Sequence, residues 1–283
     1  MTAMPDYVER YHRDGFVHIP DLLPAAEMPA LVAAVDEAVA KRKTFDSRPL
    51  AEKNAYEQSF IQCQYLWEDF PGVRPLMFHP ALGAALGALL EAKCVRLWHD
   101  QALYKEAGGR ETDAHQDHAY WPIAEPDTIT AWIPLTDVDE ETGCMGYVPG
   151  SHKGDLAFVD IFRKPGSGAE LVAAQAVEPV FVHCRPGDVI FHHGRTIHLA
   201  KPNRSPRMRR VYTAIYFKNG CTRASDRPHP SVDRDGIAVG AVIDGAATPV
   251  VWPLAGADYP KPGSWPDDER LVERRRMGLI PGV

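Results

Sequence analysis

From about Val95 to Phe217 the chain is a succession of short runs rich in β-branched and aromatic residues, each broken by Gly, Pro or Asp. Few folds accommodate that pattern. Runs of this length, separated by turn formers, read as strands rather than helices. The spacing predicts strands near 96–105, 112–117, 128–134, 143–148, 177–183, 188–192, 196–200 and 209–217. Eight short strands in so compact a stretch predict a double-sheet jelly roll, that is, a cupin-like double-stranded β-helix. The first 94 residues have a different texture. Met28, Leu31, Val32, Val35 and Val39 recur at helical spacing in a segment that starts after Pro24 and fades at Lys41. An earlier short helix stops at Gly15, and Phe16-Val17-His18-Ile19 reads as a brief strand before Pro20. A third helix is predicted around Leu82, Leu86 and Leu89, weakened by Gly83 and Gly87. Beyond residue 218 the chain is Pro-rich and irregular, with a short polar helix at 267–277. With no internal repeat or low-complexity linker, the expectation is one mainly β domain over 1–283, with a helical part (1–94) packed outside a jelly-roll core (95–218) and an irregular extension (219–283).

A formal charge of −7 argues against nucleic acid or an anionic membrane surface as partner. Arg204, Arg207, Arg209 and Arg210 crowd together, and Arg274-Arg275-Arg276 form a second run; a solvated charged face is the ordinary reading of both. No apolar run is long enough to span a bilayer, and the charged N-terminus does not resemble a secretory leader. Five scattered cysteines, odd in number and without a CxxC pair, suit a reducing compartment and speak against a structural zinc cluster. A cytoplasmic protein acting on a small molecule is expected. The oligomeric state is not legible.

The triplet His115-Gln116-Asp117 carries the chemistry. Side chains alternate along a strand, so His115 and Asp117 can project from one face. Two imidazoles and a carboxylate suffice to hold Fe(II) and leave three coordination positions open. His-x-Asp is cheap, however, and His12-Arg13-Asp14 repeats it in a charged, helical setting, where it reads as coincidence. For the third ligand the residues leave His192, His193 and His198 open.

Three stretches narrow the choice: "HQDHAYW" at 115–121, "TAWIPLTDVDEETGCMGYVPGSHKGD" at 130–155 and "PGDVIFHHGRTIHLAKPNRSPRMRR" at 186–210. With the weaker "YHRDGFVHIPDLL" at 11–23, the chain resembles the phytanoyl-CoA dioxygenase family of Fe(II)- and 2-oxoglutarate-dependent oxygenases over about residues 7–218. The resemblance implies His115, Asp117 and His198 as iron ligands and Arg209 as partner of the distal carboxylate of 2-oxoglutarate, with O2 as the other cosubstrate. Two departures stand out. Ala114 replaces the Trp that often precedes the triplet, and Leu199-Ala200 replace a Gly-Ser that often follows the distal His. The lost Ser removes a hydroxyl partner for the cosubstrate, for which Thr213, on the strand face of Arg209, is a substitute. Asp117 itself stands where related halogenases have a small residue, which favours hydroxylation over halogenation.

Around this centre Gln101 and Tyr104 are candidate cosubstrate contacts on the strand before the metal strand. Tyr120, Trp121 and Trp132 are candidates for the substrate mouth, and Gln62, Gln64 and Trp67 for a lid. Pro149-Gly150-Ser151-His152 reads as a structural turn. Hydroxylation of a C–H bond in a small organic substrate, with release of succinate and CO2, is the leading expectation. Desaturation or cyclisation on the same core, a non-catalytic cupin-like binding protein and a zinc hydrolase are the alternatives.

Overall fold

The computed structural model describes residues 3–43, 48–256 and 258–265. Two antiparallel sheets face each other. The larger contains β1 (Phe16–Ile19), β2 (Ile61–Gln64), β3 (Val95–Tyr104), β5 (Thr128–Pro134), β8 (Val189–His193), β10 (Val211–Lys218) and β11 (Val250–Trp252). Its order is β1-β8-β5-β10-β3-β11, with β2 also paired to β3. The smaller contains β4 (Thr112–His115), β6 (Met145–Tyr147), β7 (Val180–Val182) and β9 (His198–Ala200), in the order β4-β9-β6-β7. This is the jelly roll expected from the alternation. All eight expected runs form strands, several of them shortened: the run at 143–148 keeps only its centre, and the run at 112–117 ends at His115. β2 and β11 were not anticipated.

The large sheet is buried on both faces, and its alternation decides what each face does. On β10, Tyr212, Ala214 and Tyr216 join the outer core with Ile129, Ala131 and Ile133 of β5. Val211, Thr213 and Ile215 face the opposite way, into the barrel. Helix α1 (Met4–Asp14), helix α2 (Met28–Lys43) and the helix Pro80–Leu89 cover the outer face, with Leu31, Val35, Leu82 and Leu86 fully enclosed there. The chain after β10 packs back on the barrel, where Val232 and Ile243 join Trp98 and Phe217 in a separate cluster. The polar helix expected at 267–277 lies outside the described residues.

The helix Pro80–Leu89 forms despite its two glycines because they let it approach β11. A Cβ at Gly83 would stand 3.0 Å from Trp252 Cε3, and one at Gly87 would overlap the indole of Trp252. On helix propensity alone Gly87→Ala should stabilise by about 1 kcal/mol. Overpacking against Trp252 reverses the sign, and a loss of about 1–3 kcal/mol is expected, read as a fall in the urea midpoint at unchanged m-value.

Candidate metal and cosubstrate site

The small sheet supplies the two histidines. β4 and β9 run antiparallel with His115 opposite His198, which sets the ring centres 4.2 Å apart. Each ring is oriented by its own strand: His115 Nδ1 meets the carbonyl of Asp113 at 2.8 Å, and His198 Nδ1 meets that of Thr196 at 2.9 Å. A carbonyl can only accept, so Nδ1 carries the proton and Nε2 keeps a lone pair for a metal. Asp117 opens the 3-10 turn Asp117–Tyr120 instead of lying in the strand as expected. Gln116 is still extended (φ −120°, ψ 119°), so the alternation runs one residue past the ladder and brings Asp117 to the face of His115.

The two carboxylate oxygens are differentiated. Oδ2 accepts from Thr130 Oγ1 at 3.0 Å and lies 3.2 Å from His192 Nε2. Oδ1 lies 3.4 Å from His115 Nε2 and 3.6 Å from His198 Nε2. The ligand atoms of His115, Asp117 and His198 all fall within 4.8 Å of one another. With bonds of about 2.1 Å, donors on adjacent corners of a coordination sphere sit about 3 Å apart, so a small contraction closes the set. The donors fit a facial Fe(II) site that opens toward the barrel interior. Burial on its own raises the pKa of Asp117, but His198, His115 and His192 outweigh it and hold the group well below the usual carboxylate range. Burial, and then His115, push His198 down to about 3. At neutral pH His198 is therefore neutral and Asp117 a carboxylate, the states a metal requires. His192 braces the carboxylate, whereas His193 faces Tyr11 and His152 outside the barrel.

A cavity of about 280 Å³ lies between the sheets and reaches from this triad to Arg209. Arg209 is 2% exposed, its Nη1 donates to the carbonyl of Gly143 at 2.6 Å, and its guanidinium lies 5.5 Å from the ring centre of Trp132. Its Nε has no partner, and no described carboxylate pairs with it. Burial lowers its pKa to about 10, which leaves it charged at neutral pH. A buried guanidinium without a counter-ion is costly, and its planar fork suits a ligand carboxylate. Arg210 points the other way and pairs with Asp36 of α2.

Opposite the triad, Gln62 and Gln64 of β2 donate to Gln101 Oε1 at 2.6 and 3.3 Å, and Tyr56 donates to Gln62 Oε1 at 3.0 Å. All four side chains line the cavity, as do Tyr120, Trp121, Trp132 and Thr213. Thr213 Oγ1 lies 3.4 Å from the carbonyl of Gln101, to which it donates. Trp132 belongs to the Arg209 end and not to the mouth, where it was expected. Two candidates are corrected outright. Tyr104 donates to Asp36 Oδ1 at 2.6 Å on the outer face, because residues three apart on a strand cannot share the face of Gln101. Trp67 is fully buried in the outer core, edge-on to Phe78, and does not line this cavity. Sequence reasoning missed His99, His229, Thr112 and Phe162 among the lining residues. His99 was findable, two residues before Gln101 on one strand. His229 and Phe162 come from segments without periodicity and left no signal.

Residues 11–211 match the family model for phytanoyl-CoA dioxygenase. Phytanoyl-CoA dioxygenase domain-containing protein 1 of Bos taurus is 26% identical, over 74% of this chain and 88% of that protein. Methylphosphonate hydroxylase of Gimesia maris is 25% identical, over 76% and 81% respectively. A match to the Dictyostelium discoideum homolog of domain-containing protein 1 is 30% identical and spans 42% of that relative. Among solved structures, the non-heme alpha ketoglutarate dependent carbocyclase SnoK from nogalamycin biosynthesis superposes with a TM-score of 0.72 at 29% identity, covering 88% of this chain and 98% of that one. The epimerase SnoN in complex with Fe3+, alpha ketoglutarate and nogalamycin RO gives 0.70 at 27% identity, with the same coverage. Jelly roll, triad, buried arginine and family match agree: the chain belongs to the phytanoyl-CoA dioxygenase family of oxygenases that use Fe(II) and 2-oxoglutarate.

Proposed function

We propose that this oxygenase hydroxylates a C–H bond of a small organic substrate, with Fe(II) held by His115, Asp117 and His198 and 2-oxoglutarate anchored by Arg209. One observation carries the reading. Three metal donors and a buried guanidinium without a carboxylate partner line one and the same cavity, a combination that suits a dicarboxylic keto acid. Iron held by His115, Asp117 and His198 would supply, with 2-oxoglutarate and O2, an oxidant strong enough to act on an unactivated C–H bond, with succinate and CO2 as co-products. The protein's own residues do the rest. Arg209 fixes the distal carboxylate, with Gln101 and Thr213 on the wall beside it. His192 and Thr130 hold Asp117 by one oxygen, which leaves the other beside the Nε2 atoms of His115 and His198, where it would serve as a metal ligand. Gln62, Gln64, Tyr120 and Trp121 face the remaining space, where the substrate is held. Asp117 fills the position a halide would need, so oxygen transfer is favoured over halogenation. Residues 1–283 act as a single domain in this reading.

Succinate release should require Fe(II), 2-oxoglutarate and O2 together, and the product should gain one oxygen atom; loss of two hydrogens instead would mark cyclisation or desaturation. Turnover that survives strict exclusion of O2 and 2-oxoglutarate would sink the oxygenase reading. Asp117→Ala should abolish both turnover and the thermal stabilisation that Mn(II) gives the wild type by binding the folded state. Arg209→Ala, which removes a charge-assisted contact of about 1.5–3 kcal/mol, should raise the KM for 2-oxoglutarate about ten- to hundredfold. An unchanged cosubstrate requirement would remove Arg209 from its role.

A further inference from the structure

Across the cavity from Asp117 the large sheet carries a bulge. His192 of β8, Thr130 of β5, Ile215 of β10 and His99 of β3 stand on one rung of that sheet. Thr130 and His192 hold Asp117, and His99 lies two strands beyond Thr130, about 10 Å away at the usual strand spacing. The register shifts between Ile215 and Tyr216, which pair with His99 and Leu97, so Trp98 is the extra residue of a β-bulge. Trp98 thereby leaves the outer core and meets a ring from the chain after β10. His229 stacks on it with ring centres 4.3 Å apart at 22°, and lies 5.7 Å from the ring of His99.

The segment around His229 is held in place by its own bonds. Arg223 donates to the carbonyls of Ser225 at 2.8 Å and Ile237 at 2.7 Å, and pairs with Asp233 at 2.7 Å. Ser231 Oγ donates to the carbonyl of Trp98 at 2.6 Å, which ties the segment to the bulge. Arg227 donates to the carbonyl of Ala119 at 2.8 Å, in the turn that Asp117 opens. His229 precedes the short helix Pro230–Asp233, and its Nδ1 accepts from the amide of Ser231 at 3.2 Å. A backbone amide can only donate, so Nδ1 carries the lone pair and the proton of the neutral ring sits on Nε2. Burial first, and then His99, hold the pKa of His229 well below its usual range, so the ring is neutral. Capping the helix thus occupies Nδ1 alone. Nε2–H has no partner among the described residues, on a side chain that is buried and lines the cavity.

We propose that the substrate is an uncharged carbonyl compound whose oxygen accepts from His229 Nε2, with its apolar body against the rings of Tyr56, Tyr120 and Phe162. The charge follows from the lining. Asp117 and Arg209 are its charged side chains, and metal and cosubstrate occupy both. An anionic or cationic group buried against the remaining wall would stand without a counter-charge, whereas a carbonyl oxygen needs only a donor. Gln101 adds a second one: it lies two residues from His99 on the same strand face, and its carbonyl is taken by Gln62 and Gln64, which leaves its amide hydrogens to donate. Phe162 packs 4.4 Å from Tyr56 and 5.4 Å from Tyr120, and all three rings line the cavity. The anchor stands opposite Asp117, so a molecule held by His229 presents its other end to the metal.

The proposal rests on the reading of the cavity as a metal and 2-oxoglutarate site, and calorimetry with Mn(II) in the absence of O2 keeps the two apart. The probes are coumarin, an uncharged lactone, and coumarin-3-carboxylate, the same rings with a charge. Protein loaded with Mn(II) and 2-oxoglutarate should bind coumarin at least about tenfold more tightly than the carboxylate. Two variants divide the ring of His229 between its nitrogens. His229→Asn keeps an acceptor where Nδ1 stands and has nothing at Nε2, while His229→Gln brings an amide N–H to the place of Nε2. His229→Asn should weaken coumarin about tenfold and His229→Gln should stay within about threefold of the wild type, with 2-oxoglutarate bound alike by all three. The reverse order, or equal losses in both variants, would leave His229 only its bond to Ser231 and overturn the proposal. A parallel loss of 2-oxoglutarate in His229→Asn, or binding of the carboxylate as tightly as coumarin, would overturn it too. A wild-type protein that binds 2-oxoglutarate but no coumarin overturns the proposal alone; one that binds no 2-oxoglutarate with Mn(II) overturns the reading of the site itself.

Discussion

The antiparallel pairing of β4 with β9 is the contact on which the rest of the site depends. It places His115 opposite His198, aims both Nε2 atoms into the barrel and, two residues past the ladder, delivers Asp117. A slip of one residue would turn both rings to the other face, so register is a functional quantity here. Buried polar bonds pin it. Gln116, the middle residue of the triplet, is wholly enclosed and donates to the carbonyl of Arg195 at 2.6 Å, just before β9. Its Oε1 accepts from Ala157 at 2.8 Å, in the segment that also contributes Phe162 to the cavity. Ser151 accepts from the amide of Ile197 at 2.9 Å, which gives the turn at 149–152 the structural duty expected of it. The residue between the two ligands thus ties the metal strand both to its partner strand and to the cavity rim.

Electrostatics divides the cavity into two ends with little overlap. The triad end carries one carboxylate, set among imidazoles and held by Thr130 and His192. The opposite end carries Arg209, with Lys105 behind it. The Arg209 end is costly as it stands, since a buried charge without its counter-charge costs several kcal/mol. A dicarboxylate reaching Arg209 from a metal held at the triad would offset that cost. The same pairing explains why a barrel this well packed keeps a cavity, for its walls are polar where the ligands belong. The crowd of arginines at 204–210 sorts along these lines: Arg209 turns inward, Arg210 pairs with Asp36 on the outer face, and Arg207 is left exposed.

Period-two alternation made most of this legible in the sequence, and the failures lie where alternation stops or was not applied. The eight core strands, the brief strand at Phe16 and the faces of Arg209 and Arg210 all follow from it, although the choice between those two arginines needed the family spacing. Tyr104 was misplaced by ignoring it, three positions from Gln101. Trp67 was misplaced because an aromatic close to two polar glutamines in sequence went into a helix, where its side chain turns to the outer core. Thr112 was hidden by a register shift between Thr112 and His115, which breaks the parity count and which no sequence pattern announces. β11 was hidden by its brevity and by the Pro-rich context around it. The glycines of the helix Pro80–Leu89 looked like weakness because their partner, Trp252, is far away in the chain.

What remains of the cavity after the metal and Arg209 ends is uncharged. Its walls are the amides of Gln62, Gln64 and Asn54, the phenols of Tyr56 and Tyr120, and aromatic or aliphatic surface from Phe60, Trp121 and Phe162. Two histidines join them, and burial is the first cause that pushes His99 to about 4 and His229 well below its usual range, so both are neutral at physiological pH. Arg209 is the sole cation among the residues lining this cavity. The glutamines are coupled, with Gln101 accepting from both Gln62 and Gln64 while Tyr56 fixes the orientation of Gln62. A wall built this way recognises shape and hydrogen-bonding direction rather than charge. Such a wall offers a competing anion no cationic side chain other than Arg209.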